Sequence, residues 1–394
     1  MSDAQRISRN RQVMSERGLD AIVCSRPTTV LLLAGYWPIS GYTVVIATAQ
    51  VTHLLIPSHE AALAKDAAVD GVHPYEIGSL KSLPTPLEAI EPTLREVLGK
   101  LNLDDSCIGY EASEWVQPAP YVALTSFGDR FSALLQTCAP QAKLAGADDA
   151  LQELRSNKTD AEIEKIRSSC VVTGRAFARA RSIIRAGETE MHIAAQTGAE
   201  LLTGASPHDR CGGFAFCMSG PNAAEAYQFF QFSRERTLTA DDLALVHCNS
   251  NVNGYWTDVT RTFHLGKPSS SVQKMYDAVF DARRAALHAI KPGTRCSDVD
   301  RAARSVMNER GFGKEFKNPL GHGVGFAAMD HNARPRLHPV SPDVLQTGMV
   351  FNLEPAIYID GKCGMRHCDV IACGESGPHV LTDFLQLQGE LIVS

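Results

Sequence analysis

The chain has 394 residues, is 44% hydrophobic and 21% charged, and carries a formal net charge of −6. That length exceeds one ordinary core and implies two domains, while the acidic balance, with no basic run, argues against a nucleic-acid partner. No apolar stretch approaches the roughly 20 residues of a membrane span, the opening Met1-Ser2-Asp3-Ala4-Gln5-Arg6 lacks the apolar centre of a secretory signal, and eleven cysteines without a spacing pattern point to reduced thiols in a cytoplasm.

Helical periodicity over residues 6–17 leads to a strand at 20–24, and the apolar residues 30–33 lead to Gly35-Tyr36. Consecutive strands are expected at 43–47 and 51–56, a helix at 86–101 and a strand at 107–110. This alternation describes an α/β layer domain. Its border is Gly146-Ala147-Asp148-Asp149, which divides the chain into 1–148 and 149–394. Beyond it, Thr159-Asp160-Ala161-Glu162 is a capping box. The helix it opens is expected to run to about Ile184 and to end on Gly187. Further helices are expected at 190–202, 271–290 and 299–310. Hairpin-like strands lie between them, so the second part is α+β. The run Tyr227-Gln228-Phe229-Phe230-Gln231-Phe232 alternates like a core strand, with Phe230 as a candidate for an apolar or cation-binding pocket wall.

Four segments carry chemistry. From Val246 to Phe263 two strands meet at Asn253-Gly254, a strong hairpin signal. A two-residue turn there sets 247 opposite 260 and 249 opposite 258, so His247 and Asp258 share one face. In Gly321-His322-Gly323-Val324-Gly325, glycines let the backbone turn sharply or approach closely around His322. Met349-Val350-Phe351-Asn352-Leu353-Glu354-Pro355 is an apolar strand closed by a carboxylate. The return segment is Gly364-Met365-Arg366-His367-Cys368-Asp369-Val370-Ile371. A two-residue turn at Asp360-Gly361 sets 354 opposite 367 and puts 354 and 368 on opposite faces. They share a site only with a longer loop or a bulge, for which Gly364 is a plausible place.

These segments, together with Ser219-Gly220-Pro221-Asn222 and Arg155-Ser156-Asn157-Lys158-Thr159-Asp160-Ala161-Glu162, resemble in order and spacing the pita-bread domain of the creatinase/prolidase/aminopeptidase P superfamily. Gly18-Leu19-Asp20-Ala21 through Leu33-Ala34-Gly35-Tyr36 resembles the creatinase-type N-terminal domain. The resemblance implies a smaller α/β domain over 1–148 and an α+β pita-bread catalytic domain over 149–394. It also implies a homodimer, with Gly35-Tyr36-Trp37 as a candidate contributor to the partner's site.

Metal-dependent members use two aspartates, one histidine and two glutamates to hold two divalent ions. By the resemblance, Asp258, His322 and Glu354 are retained, His247 replaces the first Asp and Cys368 the last Glu. Tyr227 falls where hydrolytic members carry a catalytic His. Two readings stay open. In one, a single zinc, iron or manganese ion is held by Asp258, His322 and Glu354 with Cys368 or His247. In the other the site is metal-free, as in creatinase, and these groups form an acid–base network. The expected activity is hydrolysis of an amide, amidine or ring C–N bond in a small polar substrate. Glu354 is the general base, His322 a ligand or proton shuttle, and Tyr227 or His331 the oxyanion partner. Arg334, with Arg336 beside it, and Arg366 are candidates for substrate contact. The alternatives are an eliminating enzyme, an Xaa-Pro peptidase, and a non-catalytic binding protein.

Overall fold

The structure, a computed structural model, describes residues 3–39, 43–77, 84–112, 128–204, 206–228, 232–330 and 333–393. The chain divides into two compact units, Met1–Arg155 and Ser156–Ser394. Among the described residues, no helix is long and apolar enough to cross a membrane.

The first unit contains α1 (Ala4–Glu16), β1 (Ala21–Cys24), α2 (Pro27–Ala34), β2 (Val44–Thr48), β3 (Thr52–Pro57) and β4 (Gly71–Tyr75). It continues through α3 (Pro86–Lys100), β5 (Cys107–Tyr110), α4 (Gly128–Cys138), β6 (Lys143–Gly146) and α5 (Asp148–Ser156). The strands form one mixed sheet in the order β4-β3-β2-β1-β5-β6. The apolar stretch at 30–33 is helical: Pro27 starts α2 and Gly35, at φ 65°, closes it in the left-handed region. A second capping box, Thr85 with Glu88, opens α3. Ile90, Leu94 and Leu98 of α3 pack with Leu135 of α4 against Val23, Ile46, Leu55 and Ile108 of the sheet.

The second unit opens with α6 (Asp160–Ile183), whose Thr159–Glu162 capping box is fully formed. The helix stops before Gly187 is reached, because Ile184 already takes extended backbone. Gly187 instead sits at φ 93° and its N–H binds the Leu238 carbonyl, turning the chain rather than capping the helix. Then follow α7 (Glu190–Glu200), β7 (Cys211–Ser219), β8 (Leu243–Val252), β9 (Tyr255–Trp256), β10 (Val259–Leu265), α8 (Ser270–Ala289) and α9 (Cys296–Glu309). The chain closes with β11 (Val350–Leu353), β12 (Ala356–Ile359), β13 (Cys363–Arg366), β14 (Asp369–Gly374), β15 (Gly377–Val380) and β16 (Ile392–Val393). The main sheet runs β16-β10-β8-β7 with β9 paired to β8; β11-β14-β15 and β12-β13 form two smaller sheets. Of the expected strand over 227–232, the described residues are not extended in a sheet: Tyr227 and Gln228 lie in a turn and Phe232 is exposed, while Phe229, Phe230 and Gln231 lie outside the described residues.

One buried charge cluster locks the strands together. Arg261 is fully buried and donates to the carbonyls of Thr260 (3.0 Å) and Cys368 (2.6 Å) and to Asp369 Oδ1 (2.7 Å). Arg283 donates to the other oxygen, Asp369 Oδ2, at 2.6 Å. Burial alone would raise the Asp369 pKa, but Arg261, His367 and Arg283 hold it well below the ordinary carboxylate range. Asp369→Asn strands two buried guanidiniums. It should lower unfolding stability by about 3–5 kcal/mol, read as a reduced midpoint in urea, whereas Asp360→Asn on an exposed turn should change little.

Candidate active site

The first hairpin has the register its sequence implies. Val252 faces Tyr255 and His247 faces Thr260, with Asn253 (φ 52°) and Gly254 (φ 89°) at the turn. His247 Nε2 thus lies 3.9 Å from Asp258 Oδ1, and the imidazole stacks on Phe216 at 4.7 Å. Arg366 Nη2 reaches His247 Nδ1 at 3.0 Å, with Thr260 Oγ1 at 2.8 Å. A guanidinium only donates, so Nδ1 is the acceptor and Nε2 carries the hydrogen. Burial first, against the pull of Asp258 and with Arg366 adding to it, takes the His247 pKa down to about 4. His247 is therefore a neutral N–H donor toward Asp258. The single-ion reading that lets it complete the shell needs a lone pair which this tautomer does not offer.

His322 is fixed by β11. Asn352 N donates to the His322 carbonyl at 3.0 Å and Glu354 N to the Leu320 carbonyl at 2.9 Å. This close pairing explains Gly321, where an added Cβ would lie 2.0 Å from the Asn352 carbonyl oxygen. The Asn352 side chain then clamps the histidine. Its Oδ1 accepts from His322 N at 2.7 Å, which orients the amide so that Nδ2 donates to His322 Nε2 at 3.0 Å. His322 Nδ1 donates to the Gly323 carbonyl at 3.0 Å. Nε2 lies 4.0 Å from Asp258 Oδ2.

The second hairpin brings Glu354 and Cys368 together by a longer loop. Ile359 pairs with Cys363 and Leu353 with Asp369, so three residues form the turn and 354 falls opposite 368. Gly364 hosts no bulge; a Cβ there would lie 2.0 Å from the Ala223 carbonyl, so the glycine serves close packing. Cys368 exchanges backbone hydrogen bonds with Thr260, which sets its Sγ 3.2 Å from the Asp258 carbonyl and 3.6 Å from Asp258 Oδ1. Burial, then the nearby carboxylates, push its thiol well up, so it stands protonated as a donor to Asp258. Ligand atoms of Asp258, Glu354 and Cys368 all lie within 4.8 Å of one another. Burial raises the Glu354 pKa to about 7, against the lowering effect of Arg366 and His322. The Arg366 Nη1 atom is 3.6 Å from Glu354 Oε2.

His247, Asp258, His322, Glu354 and Arg366 line a cavity of about 430 Å³, together with Tyr227, Met329 and Arg336. The volume suits a small ligand. Tyr227 stands in the wall, its ring 5.3 Å from Tyr358 and its hydroxyl accepting from Gln228. Arg366 is buried within the site and orients His247 and Glu354 rather than reaching out from a loop. Arg334 is not in the cavity wall: its N–H binds Ser156 and its Nε lies 3.6 Å from Asp343. Arg336, its neighbour, lines the cavity instead. His331 lies outside the described residues. Asn352 was not singled out in the sequence, although strand alternation from Glu354 marks it as facing the same side.

The model of metallopeptidase family M24 matches residues 164–375, and that of the creatinase/prolidase N-terminal domain matches residues 6–156. An Xaa-Pro dipeptidase of Pyrococcus furiosus is 25% identical over 378 residues, covering 96% of this chain and 97% of its own. The crystal structure of dipeptidase PepE from Mycobacterium ulcerans superposes with a TM-score of 0.73 at 25% identity, over 99% of this chain and 97% of that one. The N-terminal domain of FACT complex subunit SPT16 from chickpea shares the fold at 14% identity, with a TM-score of 0.71 over 99% and 98% of the two chains.

Two buried histidines give the stability a pH signature. His247 and His367 are both driven down to about 4, chiefly by burial, from an ordinary 6.5. Below pH 6.5 the unfolded chain binds protons that the folded chain refuses, so stability is complete above that value and is lost as pH falls toward 4. Urea midpoints taken between pH 7.5 and 4.5 should decline, and His367→Gln should flatten part of the decline.

Proposed function

Because the chain belongs to metallopeptidase family M24, with a creatinase/prolidase N-terminal domain ahead of it, we propose that it hydrolyses a peptide-like C–N bond in a small amino-acid-derived substrate. The observation that carries this reading is Glu354: a buried carboxylate in the wall of a small cavity, with its pKa raised to about 7 and a guanidinium beside it. Such a group takes a proton from water near neutral pH and can return it to the leaving nitrogen.

The donor set suits one divalent ion and not a pair. By the resemblance, the family's four carboxylates face two ions; here His247 and Cys368 leave only Asp258 and Glu354 charged, and Arg366 offsets one of them. One ion would be held by Asp258, Glu354 and, on loss of its proton to solvent, Cys368, whose ligand atoms cluster, with His322 joining if Asn352 releases its Nε2. When bound, such an ion polarises a carbonyl and acidifies water. The chain's own residues do the rest. Arg366 holds Glu354 and fixes the His247 tautomer; the His247 N–H is directed to the Asp258 side of the site, and Tyr227, in the cavity wall, serves as the oxyanion donor. The names of the relatives make Xaa-Pro dipeptides the first substrates to try, and the substituted site favours a broader set of acylated amino acids. A homodimer belongs to the same proposal and rests on the family resemblance.

Glu354→Gln should abolish turnover of Xaa-Pro dipeptides and N-acyl amino acids, by more than about 100-fold for loss of a general base, while the unfolding midpoint holds. The rate should fall as pH drops through about 7 as Glu354 gains its proton. Arg366→Met removes a lowering influence and should move that limb to higher pH. Elemental analysis should find at most one ion per chain, diminished in Cys368→Ala; two ions per chain would sink the single-ion assignment.

A further inference from the structure

Lys317 stands between α9 and the glycine-flanked His322, and its side chain keeps only 20% of its exposure. Its Nζ lies over the face of the Tyr227 ring, 4.9 Å from the centroid. The same ammonium is paired with Asp360, on the turn between β12 and β13. A lysine gives up rotamer freedom and hydration to be held in this way. The backbone on either side of it is stitched to β12. Tyr358 N donates to the Glu315 carbonyl at 2.9 Å, and Asn318 Nδ2 donates to the Glu354 carbonyl at 3.2 Å.

The ring below the ammonium is held as closely. Tyr227 packs against a buried cluster that includes Phe216, Met218 and Tyr358, with the Tyr358 ring 5.3 Å away and tilted by 41°. The close approach of Gly364 to the Ala223 carbonyl ties the segment before Tyr227 to β13. The Gln228 amide donates to the phenol oxygen. That oxygen is the acceptor there, so the phenolic hydrogen is left to donate elsewhere. A cation over an aromatic face is attracted by the negative face of the ring. Its field also draws electron density away from the phenol oxygen, which makes the O–H a stronger donor. Asp360 tethers the ammonium without reaching the ring's hydroxyl, whose recorded partner is Gln228.

We propose that Lys317 is a positioning residue for Tyr227: its ammonium fixes the ring in the cavity wall and strengthens the phenolic hydrogen bond to the oxyanion that forms on the scissile carbonyl. Lys317 has this role only if Tyr227 is the oxyanion donor of the hydrolase reading, and binding and turnover separate the two. Binding is read on Glu354→Gln with the phosphinic analogues of Ala-Gly and Ala-Pro, in which a tetrahedral anionic phosphinate and a carbon replace the amide carbonyl and nitrogen. In calorimetric titration Lys317→Met should weaken these ligands about 3- to 10-fold, and Lys317→Arg, which keeps a cation over the ring, less than about twofold. Asp360→Asn should fall between them. In a Tyr227→Phe background, where no hydroxyl remains, Lys317→Met should cost less than about twofold more. With Glu354 in place, the same variants should lower kcat while KM holds, because the oxyanion exists only after attack on the carbonyl. An equal loss in the Tyr227 and Phe backgrounds would overturn the proposal. So would unchanged affinity in a natively folded Lys317→Met, a loss in Lys317→Arg as large as in Lys317→Met, or no binding of either phosphinate. Absence of turnover by the wild-type chain, with the binding pattern intact, would count against the hydrolase reading alone.

Discussion

The site depends on a single junction between two hairpins. Thr260 of the first exchanges backbone hydrogen bonds with Cys368 of the second, and Arg261 donates to both carbonyls while Asp369 holds its guanidinium. The junction sets Cys368 against Asp258, carries Arg366 to His247, and places Glu354 opposite Cys368. Burying a charge triad is costly in itself and yields little net stability over a well-packed apolar alternative. What it contributes here is register. A slip of one residue in either strand would turn half of the site to the other face, and would also leave Arg261 without its carboxylate.

Electrostatics follow from that register. Two carboxylates, a histidine, a thiol and one guanidinium are buried side by side. Glu354 responds by holding its proton to about pH 7, because burial outweighs the attraction of Arg366 and His322. The same arrangement turns three groups into donors: the His247 N–H by the demand of Arg366, the Cys368 thiol by burial, and the Asn352 amide by its bond to the His322 backbone. A cation site needs lone pairs facing inward. In this arrangement His247, Cys368 and Asn352 present hydrogen atoms to their neighbours.

A second charged pairing stands at the same cavity. Asp343 accepts from Arg336 through both of its oxygens, which fixes a guanidinium at the cavity wall. The cavity carries both signs of charge, with Asp258 and Glu354 among its lining residues and Arg336 and Arg366 beside them.

The first hairpin, the Thr159 capping box and the strand at 350–353 were legible in the sequence because each is decided by neighbours within a few residues: a turn pair, a cap, an alternating run. The joining of Glu354 to Cys368 was legible only as a condition. A two-residue and a three-residue loop at Asp360 read alike in one dimension, and the longer one forms where Gly364 must lie flat against Ala223. Gly187 misled as a helix end because Leu238, some fifty positions away, claims its N–H. The amino-acid sequence by itself determined the family, the two-domain order, and which side chains are chemically able to act. The tertiary structure alone decided how they act: that His247 donates, that Asn352 occupies the His322 nitrogen, that Arg366 is interior, and that Arg336 rather than Arg334 faces the cavity. Each of those depends on a partner distant in the chain, and protonation, tautomer and side-chain direction are properties of the contact and not of the residue.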